Sequence, residues 1–328
     1  MSNELVKHQT SAIVADVTGL IEQWLDHCKD ADGTTEATLT AYRKGLEVFT
    51  AWVKENGIVG PVMAPQDVVR FKGWLAGQYS AQTVNLRLAA VRSFFRWCVI
   101  TGRLETSPAE SVKGAKRPKS REHKRDALTN GEVLDVLDTC DPGTLQGARD
   151  LAMLTLMAYC ALRTVEIERA NIGDLRTEGD RLTLHVWGKG RDQDDKETVV
   201  IPQSQEYVIR QWLAHRTTFK HHGAADPLFI SLSNRTRGKR LSRRAIRAIV
   251  KTRYQAAGVV GERKTTHSLR HSAITNVIRH GATPMQARTL ARHSSLDTTL
   301  GYYHEVARVD NPPEDLIEYD ANHAPGAS

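Results

Sequence analysis

Three short clusters in the second half of the chain hold arginine, histidine and tyrosine residues that together could cleave a phosphodiester. They occupy residues 161–167, 267–271 and 291–304. Arginine side chains bind the non-bridging oxygens of a phosphate in bidentate geometry and stabilise the negative charge of a pentavalent transition state. A tyrosine, with an ordinary pKa of about 10, needs an electropositive pocket or a base before it attacks phosphorus. The leaving sugar oxygen in turn needs a proton from a lysine or a histidine.

Each cluster taken alone also has a simpler interpretation. Arg163 interrupts the end of an apolar helix, where it could interact with the last carbonyls or pair with Glu166. His267, Arg270 and His271 lie at i, i+3 and i+4, on one face of a helix, and two histidines at this spacing could bind zinc. No third ligand is obvious and the HExxH form is absent, so we predict no metal site.

The composition favours a soluble protein with a polyanionic partner. The chain has 328 residues, 40% of them hydrophobic and 25% charged, with a net charge of +7 and a pI near 9.2. This length has room for two domains, and the positive charge favours nucleic acid as the partner. The apolar run 151–162 is too short to span a bilayer, and the N-terminus has no apolar signal segment. We therefore expect a cytoplasmic protein without membrane contact. Four widely separated cysteines predict buried thiols.

The first hundred residues show the hydrophobic periodicity of helices. Apolar stripes predict four helices before Gly102, the third beginning at Pro65 and the fourth at a Ser80 cap. We predict that these helices form a compact bundle. Arg87 and Arg92 lie on the polar surface of the fourth helix, where a solvated face and contact with DNA phosphates are equally good interpretations.

A strongly basic segment, residues 107–126, separates this region from the rest of the chain. It contains two prolines and one glycine, which mark a domain boundary. Such a segment can be a soluble spacer, but its charge density is sufficient to follow a phosphate backbone, and we favour contact with DNA. The predicted contacts are Lys116, Arg117, Lys119, Arg121, Lys124 and Arg125.

Helices and a small sheet are predicted for the second half of the chain. Thr129 and Glu132 form a capping box that opens a helix, and a longer apolar helix covers residues 145–162. β-prone residues at 182–187 and 198–201, separated by a polar turn, predict a β-hairpin. A later amphipathic helix has a basic face that fits a DNA groove, although a solvated face would have the same sequence. Its basic residues are Arg243, Arg244, Arg247, Lys251 and Arg253.

The order and spacing of the clusters resemble the tyrosine site-specific recombinases of the phage integrase family. The first family box, Gly-Leu-Arg with a carboxylate three residues later, is similar to residues 161–166, except that Ala161 replaces the usual glycine. The second box, His-x-Leu-Arg-His, is intact at residues 267–271. The third, Leu-Gly-His-Ser followed by Thr-Thr and Tyr-x-His, is similar to residues 291–304, with Arg292 in place of glycine. Together with a Gly-Lys-Gly turn, these boxes stand in the family's order and are a specific signal.

The resemblance implies a role for each of these residues. Tyr302 would attack the scissile phosphate and form a 3′-phosphotyrosine, while Tyr303 fills a variable position. Lys189, in the Gly-Lys-Gly turn, would protonate the departing 5′-oxygen, with Lys196 as the alternative lysine. Glu166 would orient the first arginine without reacting. The residues implied to surround the phosphate are Arg163, Lys189, His267, Arg270 and His293.

The resemblance also implies the architecture and the assembly. The implied fold class is mainly α with a small β component, in which a helical core-binding (SAM-like) domain precedes a mixed α/β catalytic domain. The implied bounds are 14–108 for the first domain, 109–126 for the linker, 127–311 for the catalytic domain and 312–328 for a tail that is either disordered or docked on a neighbouring subunit. These features fit the simple two-domain members without an arm-binding domain. The implied partners are double-stranded DNA at a specific site and further copies of the chain, in a homo-tetramer that exchanges strands through a Holliday junction. Rejoining needs neither a metal nor a cofactor, because the phosphotyrosine keeps the energy of the ester bond.

Two other functions stay open at this point. A type IB topoisomerase uses a similar set of residues and rejoins the same strand, but the helical first domain argues for recombination. A DNA-binding regulator on a decayed recombinase scaffold would lack at least one catalytic residue, and all six are present. The sequence specifies neither the DNA target, nor accessory proteins, nor whether the outcome is integration, excision, resolution or inversion of a mobile element or other DNA.

Overall fold

The structure, a computed structural model, describes four stretches of the chain: residues 17–58, 63–116, 126–188 and 195–310. The chain forms two compact units, Met1–Lys119 and Ser120–Ser328. In the stretches that are described, no helix is both long enough and apolar enough to cross a membrane.

In the described part of the N-terminal unit, four helices follow the order that the hydrophobic periodicity predicts. They are α1 (Val17–Asp30), α2 (Glu36–Glu55), α3 (Pro65–Gln78) and α4 (Ala81–Ile100). Ser80 caps α4, because its hydroxyl accepts a hydrogen bond from the amide of Thr83. Pro65 occupies the first turn of α3, where the missing amide proton has no helical partner to lose. Both predicted helix starts are therefore confirmed.

Aromatic side chains fill the centre of the N-terminal unit. Phe49 packs edge-on against Phe71 and Phe95, with ring centroids 4.9 Å and 5.9 Å apart. Trp24 stacks on Tyr42 at 5.3 Å. Each such ring removes about 150–250 Å² of surface from water, so these contacts dominate the packing of the bundle.

Two arginines of α4 that we predict to contact DNA make contacts inside this unit. The guanidinium of Arg87 lies 3.7 Å from the centroid of the Tyr79 ring. Arg92 Nη2 donates a hydrogen bond to the carbonyl of Val112. Both side chains are half-buried. A contact with phosphate would have to compete with these interactions, and the role of both arginines in DNA binding stays a prediction.

The second unit begins with the helix that the capping box predicts. The amide of Glu132 donates to Thr129 Oγ1 at 3.2 Å, and the amide of Thr129 donates to Glu132 Oε2 at 3.0 Å. The elements of this unit are α5 (Asn130–Asp138), α6 (Leu145–Tyr159), α7 (Thr164–Arg169), a 3-10 turn (Ile172–Asp174), β1 (Leu175–Glu178), β2 (Arg181–Val186), β3 (Glu197–Val200), α8 (Gln203–Arg216), α9 (Arg243–Ala256), α10 (Thr266–Arg279), α11 (Pro284–Ala291) and α12 (Leu296–Asp310).

The predicted hairpin belongs to a three-stranded antiparallel sheet in the order β1-β2-β3. Leu184, in the middle strand, lies opposite Leu175 of β1 and Val199 of β3. The pairing of β2 with β3 is as predicted. The sequence does not predict β1, because its four residues are mostly exposed and lack an apolar alternation. The fold is mainly α with a small β component, as predicted.

One basic residue that we predict on the exposed face of α9 is turned towards the core. Arg253 Nη2 lies 2.7 Å from Asp150 Oδ2 on α6, and Arg253 Nη1 donates to the carbonyl of Thr139. Asp150 is 1% exposed and also accepts hydrogen bonds from Arg149. A buried carboxylate of this kind requires cationic partners. Arg253 therefore pairs with a buried carboxylate, and its assignment to the exposed basic face is wrong.

Candidate active site

The first arginine of the clusters lies in a sharp turn between α6 and α7. Helix α6 ends at Tyr159, and the backbone of Ala161 is left-handed, with φ of 51°. Arg163 is the N-cap residue of α7, with an extended ψ of 152°. The prediction of one helix over residues 145–162 is therefore wrong at its C-terminal end, because a left-handed residue cannot continue a right-handed helix.

Glu166 holds Arg163 in position from the first turn of α7. Its Oε2 accepts a hydrogen bond from the backbone amide of Arg163 at 2.7 Å, and its Oε1 accepts one from Arg163 Nη1 at 2.7 Å. The Glu166 side chain is 1% exposed, whereas that of Arg163 is 25% exposed. The carboxylate thus fixes the orientation of an arginine that a ligand can still reach. This geometry suits the supporting role that the resemblance implies.

Arg292 enters the same cluster from the turn between α11 and α12, and its side chain is 4% exposed. Its Nη2 donates to Glu166 Oε2 at 2.9 Å and to the carbonyl of Ala161 at 2.9 Å, and its Nη1 donates to the carbonyl of Leu290 at 2.8 Å. Within the described chain, Ala161 and Arg292 are the two non-glycine residues with positive φ, 51° and 50°. They are also the two positions where this sequence replaces a family glycine. The backbone therefore keeps a conformation that favours glycine although neither residue is one.

Arg270 approaches from α10 and brings a third guanidinium to the cluster. It donates to the carbonyls of Ala161 and Ala291. Arg163 Nη2 donates to the same Ala291 carbonyl at 3.1 Å and to the Arg292 carbonyl at 2.7 Å. Three arginines around one carboxylate leave a local excess of positive charge. Such a cluster can bind the phosphate of a nucleic acid.

Burial and neighbouring charges change the acid–base properties of these groups. Burial by itself raises the pKa of Glu166, but the charge of Arg292 and its hydrogen bond outweigh burial and hold that pKa below its ordinary value. Burial, with repulsion from Arg163 and Arg292, lowers the pKa of Arg270 to about 9, so that it is still cationic at neutral pH. Burial, with the charges of Arg270 and Arg163, lowers the pKa of His293 to about 3. His293 is therefore neutral at physiological pH, with one ring nitrogen as a donor and the other as an acceptor.

Tyr302 lies on α12 beside two histidines. The residue is 4% exposed, and its Oη lies 3.4 Å from Nε2 of His271 on α10. The His293 ring stacks beside it, with centroids 6.0 Å apart and planes inclined by 27°. The hydroxyl of Tyr303 donates instead to the carbonyl of Ala282. The two adjacent tyrosines therefore have different surroundings, and Tyr302 is the one that contacts the histidines of the clusters.

His267 lies half-buried in the first turn of α10. Its backbone amide donates to Oγ1 of Thr265, the residue that caps the helix. Helical spacing puts its side chain on the same face as Arg270 and His271. A direct role of His267 in catalysis stays a prediction.

Lys189 lies outside the described residues, but the residue before it is described. A Cβ atom on Gly188 would lie 3.5 Å from Glu166 Oε1. The end of β2 thus brings the chain to the arginine cluster one residue before Lys189. Lys196, the alternative, donates to Asp174 Oδ1 at 2.5 Å. This ion pair engages Lys196, and the assignment of Lys189 to the site stays a prediction.

The residues that we predict to contact DNA from the linker and α9 have different surroundings. Lys116, Arg244 and Arg247 are exposed. Arg243 is also exposed, and its Nε lies 2.9 Å from a carboxylate oxygen of Glu168. The other predicted linker contacts, Arg117, Lys119, Arg121, Lys124 and Arg125, lie outside the described residues.

Three residues that the structure places in or beside the site have no role in the predictions from the sequence. Arg292 departs from the family glycine, and a long cationic side chain in a glycine position is the signal that could have identified it. His271 follows Arg270 in an intact box, and its spacing from His267 was the signal. The guanidinium of Arg169 lies 3.9 Å from the centroid of the Trp187 ring, and its Nη1 donates to the Gly188 carbonyl at 2.8 Å. No local pattern indicates this last contact.

The residues that the structure describes contain no group of three or more histidine, cysteine, aspartate or glutamate side chains that could hold a metal ion. The four cysteines of the chain are free and buried, as predicted.

Two family models match this chain. The model of the phage integrase family matches residues 126–308, and the model of the phage integrase N-terminal SAM-like domain matches residues 21–102. The tyrosine recombinase XerD of Bifidobacterium longum is 31% identical over 315 residues, which cover 92% of this chain and 95% of the relative.

Solved recombinase structures share the fold. The XerH site-specific recombinase bound to a palindromic difH substrate, in a post-cleavage complex, matches with a TM-score of 0.71 and 17% identity over 94% of this chain and 95% of that chain. The lambda integrase tetramer bound to a Holliday junction matches with a TM-score of 0.61 and 15% identity over 85% of this chain and 77% of that chain. Identities this low indicate a common fold, whereas the family models and the identity to XerD establish descent. The chain belongs to the phage integrase family and is a tyrosine recombinase, a member of an enzyme class that cleaves and rejoins DNA.

Proposed function

We propose that this protein is a site-specific recombinase in which Tyr302 attacks a DNA phosphate held by Arg163 and Arg270. The proposal is supported by one observation: arginines from two separate clusters donate hydrogen bonds to the same backbone carbonyl. Arg163 and Arg270 both donate to the carbonyl of Ala291, two residues before His293, and the His293 ring stacks beside Tyr302. A phosphate that replaced this carbonyl as the acceptor would meet both guanidiniums next to the phenol.

In this proposal the arginines bind the non-bridging oxygens and stabilise the charge of the transition state. Arg163, with 25% of its side chain exposed, would make the outer contact, and the buried Arg270 would make the inner one. His293 is neutral in the free protein because of the surrounding cations. It would donate a hydrogen bond to the bound phosphate, whose negative charge would raise the pKa of His293 again. His267 would assist from the first turn of α10.

Lys189 would protonate the departing 5′-oxygen, which leaves Tyr302 joined to the 3′-phosphate. The position of Gly188 against Glu166 supports this assignment, since Lys189 is the next residue of the chain. The 5′-hydroxyl of another strand would then attack the phosphotyrosine and release Tyr302. No metal or cofactor takes part in either step of this scheme.

DNA binding would use the basic surfaces of both units. Arg244 and Arg247 are exposed on α9, and Lys116 is exposed where the linker begins. Side chains of this kind contact phosphates and position a protein on the duplex without reading the sequence of the bases. We propose that these residues, together with the basic linker, bind double-stranded DNA in the cytoplasm. We also propose that the two DNA-binding domains are residues 14–108 and 127–311, and that residues 109–126 connect them.

Strand exchange requires two duplexes, and we propose that four copies of the chain synapse them. The lambda integrase tetramer that shares the fold binds a Holliday junction. The same assembly here would exchange one pair of strands, pass through a junction and then exchange the other pair. The tail, residues 312–328, would contact a neighbouring copy in this assembly.

A trapping experiment tests the proposal. A duplex selected for binding from a randomised pool is nicked close to the cleavage position, so that cleavage releases a short fragment and rejoining cannot occur. Wild-type protein and the Tyr303→Phe variant should form a covalent complex with this DNA, and Tyr302→Phe should not. A wild-type protein that forms no complex would refute the proposed reaction. Relaxation of supercoiled plasmid without exchange between two labelled duplexes would instead indicate a topoisomerase.

A further inference from the structure

His271 makes a contact that the proposed reaction leaves without a role. Its Nε2 lies 3.4 Å from the Oη of Tyr302, and the two rings have centroids 5.1 Å apart with planes inclined by 42°. His271 follows Arg270 directly on α10, whereas Tyr302 lies on α12. Helix α10 therefore carries both the guanidinium that the proposed function assigns to the phosphate and an imidazole at the Tyr302 hydroxyl.

The phenol of Tyr302 has to lose a proton when it attacks phosphorus. Its ordinary pKa of about 10 means that it is protonated at neutral pH. The residue is 4% exposed, so bulk water has little direct access to this proton. A general base within hydrogen-bond distance is therefore required, and a separation that is long in the free protein commonly shortens in the complex with substrate.

The imidazole that the structure places at the Tyr302 hydroxyl is that of His271, whereas His267 lies one turn earlier on α10, where its backbone amide donates to Thr265 Oγ1. The arginines, Glu166 and His293 are poorly suited to accept this proton. The guanidiniums of Arg163, Arg270 and Arg292 have no acceptor atom. Both carboxylate oxygens of Glu166 already accept hydrogen bonds from arginines, and the charge of Arg292 helps keep this carboxylate ionised. His293 bonds through Nδ1 to Thr299 Oγ1 at 3.0 Å, and the surrounding cations make its ring a weak base.

We propose that His271 is a catalytic residue, the general base that takes the Tyr302 proton during cleavage and returns it during rejoining. In the forward step the Oη–P bond forms, the proton of Oη passes to His271 Nε2, and the P–O5′ bond breaks. The O5′ atom leaves with a proton from the acid that the proposed function assigns to Lys189. In the reverse step the attacking 5′-hydroxyl gives its proton to that lysine, and Tyr302 recovers its proton from His271. The inference rests on the proposed function, since it requires Tyr302 to be the nucleophile.

Two substitutions separate a base from a group that merely positions the phenol. His271→Gln keeps a polar side chain that accepts a hydrogen bond but cannot take up a proton at neutral pH. His271→Phe keeps a ring against Tyr302 and removes both nitrogens. The rate of covalent-complex formation is measured in single turnover with the nicked selected duplex. We expect both variants to react about 100- to 10,000-fold more slowly than wild type, the range of general acid–base catalysis. His271→Gln within a few-fold of the wild-type rate would overturn the proposal in favour of positioning alone.

A sulfur-substituted substrate distinguishes the nucleophile from the leaving group. When a bridging sulfur replaces O5′, the leaving thiolate needs no proton, so a defect in the general acid is rescued. The slow reaction of the His271 variants should not be rescued by this DNA, whereas that of Lys189→Ala should be. Full rescue of His271→Phe would assign His271 to the leaving group and overturn the proposal.

The pH dependence of the rate, compared between wild type and His271→Gln, is an independent test. The charged and titratable groups near His271 are Tyr302 on α12, His293 in the turn before α12, and Arg270 and His267 on its own helix. Protonation of a general base stops the reaction, so the wild-type rate should have an acid limb that is absent in His271→Gln. An acid limb of the same size in His271→Gln as in wild type would overturn the proposal.

Thermal unfolding and a gel-shift measurement with the same duplex check that the variants fold and bind as wild type does. The outcomes for the two proposals differ. Absence of any covalent complex with wild-type protein refutes the proposed function and the role of His271 with it. A normal wild-type reaction with unimpaired His271 variants refutes the role of His271 alone.

Discussion

Replacing Arg292 with glycine, the residue that the family has at this position, should destabilise this protein although it restores the family pattern. Arg292 donates to Glu166 Oε2 and to the carbonyls of Ala161, Leu290 and Cys160, and its side chain is 4% exposed. Removing one partner of a buried ion pair costs about 3–5 kcal/mol. Glu166 keeps its bonds to Arg163, so the lower end of this range, about 3 kcal/mol, applies here.

The left-handed backbone of Arg292 changes the expected loss in the free energy of unfolding. A left-handed conformation costs a non-glycine residue about 1 kcal/mol, and φ at Arg292 is 50°. Glycine relieves that strain and alanine does not. We therefore expect Arg292→Gly to lower the free energy of unfolding by about 2 kcal/mol and Arg292→Ala to lower it by about 3 kcal/mol. For a unit of this size, a loss of about 2 kcal/mol lowers Tm by about 4–8 °C.

Calorimetry of the full chain measures these changes as shifts of the transition that belongs to the catalytic unit. A double-mutant cycle with Glu166→Gln identifies the interaction, because the second substitution should cost less when Arg292 is already glycine. Leu290→Ala, nearby and without the ion pair, serves as a control for packing loss and should not couple to Glu166→Gln. An Arg292→Gly variant as stable as wild type, or equal stability of the glycine and alanine variants, would refute this account of the cluster.

Three further predictions follow from the same structure. The folded state lowers the pKa of His293 to about 3, so below about pH 6.5 the unfolded chain binds more protons than the folded chain. The free energy of unfolding should therefore fall as pH drops from 6.5 towards 3. In His293→Gln, Tm measured against pH should fall less over this interval. Ser80→Ala should lower the free energy of unfolding of the N-terminal unit by about 1 kcal/mol in urea titrations, through loss of the α4 cap. Binding to DNA should weaken steeply with salt, by about 0.9 log units in K per contacted phosphate for each log unit of salt. Changing both Arg244 and Arg247 to glutamine should reduce that slope, and an unchanged slope would exclude phosphate contacts by these residues.

Periodicity and capping patterns were sufficient for most of the helices. Pro65, Ser80 and the capping box of Thr129 are local signals, and helices begin at each of them. β1 could not be predicted, because a four-residue edge strand buries too few side chains to show an apolar alternation in the sequence. The early end of α6 could not be predicted, because an alanine does not indicate a left-handed backbone such as that of Ala161. A glycine at this position would have indicated one.

The parts of the fold and of the site that could not be predicted from the sequence depend on contacts between distant segments. Arg253 pairs with Asp150, 103 residues away along the chain, and no local pattern distinguishes it from its exposed neighbours on α9. The contact of His271 with Tyr302 likewise requires α10 and α12 to pack together. The motifs predict which residue types come together in the site. The partners of each hydrogen bond or ion pair depend on tertiary packing and cannot be predicted from the motifs.

Identification of the amino acid joined to DNA tests the central claim most directly. Covalent complexes trapped on the nicked duplex are digested with protease and nuclease, and the modified peptide is sequenced by mass spectrometry. We predict a single adduct on Tyr302, linked to the 3′-phosphate of the cleaved strand. An adduct on Tyr303 or on another residue, or a link to the 5′-phosphate, would contradict the account.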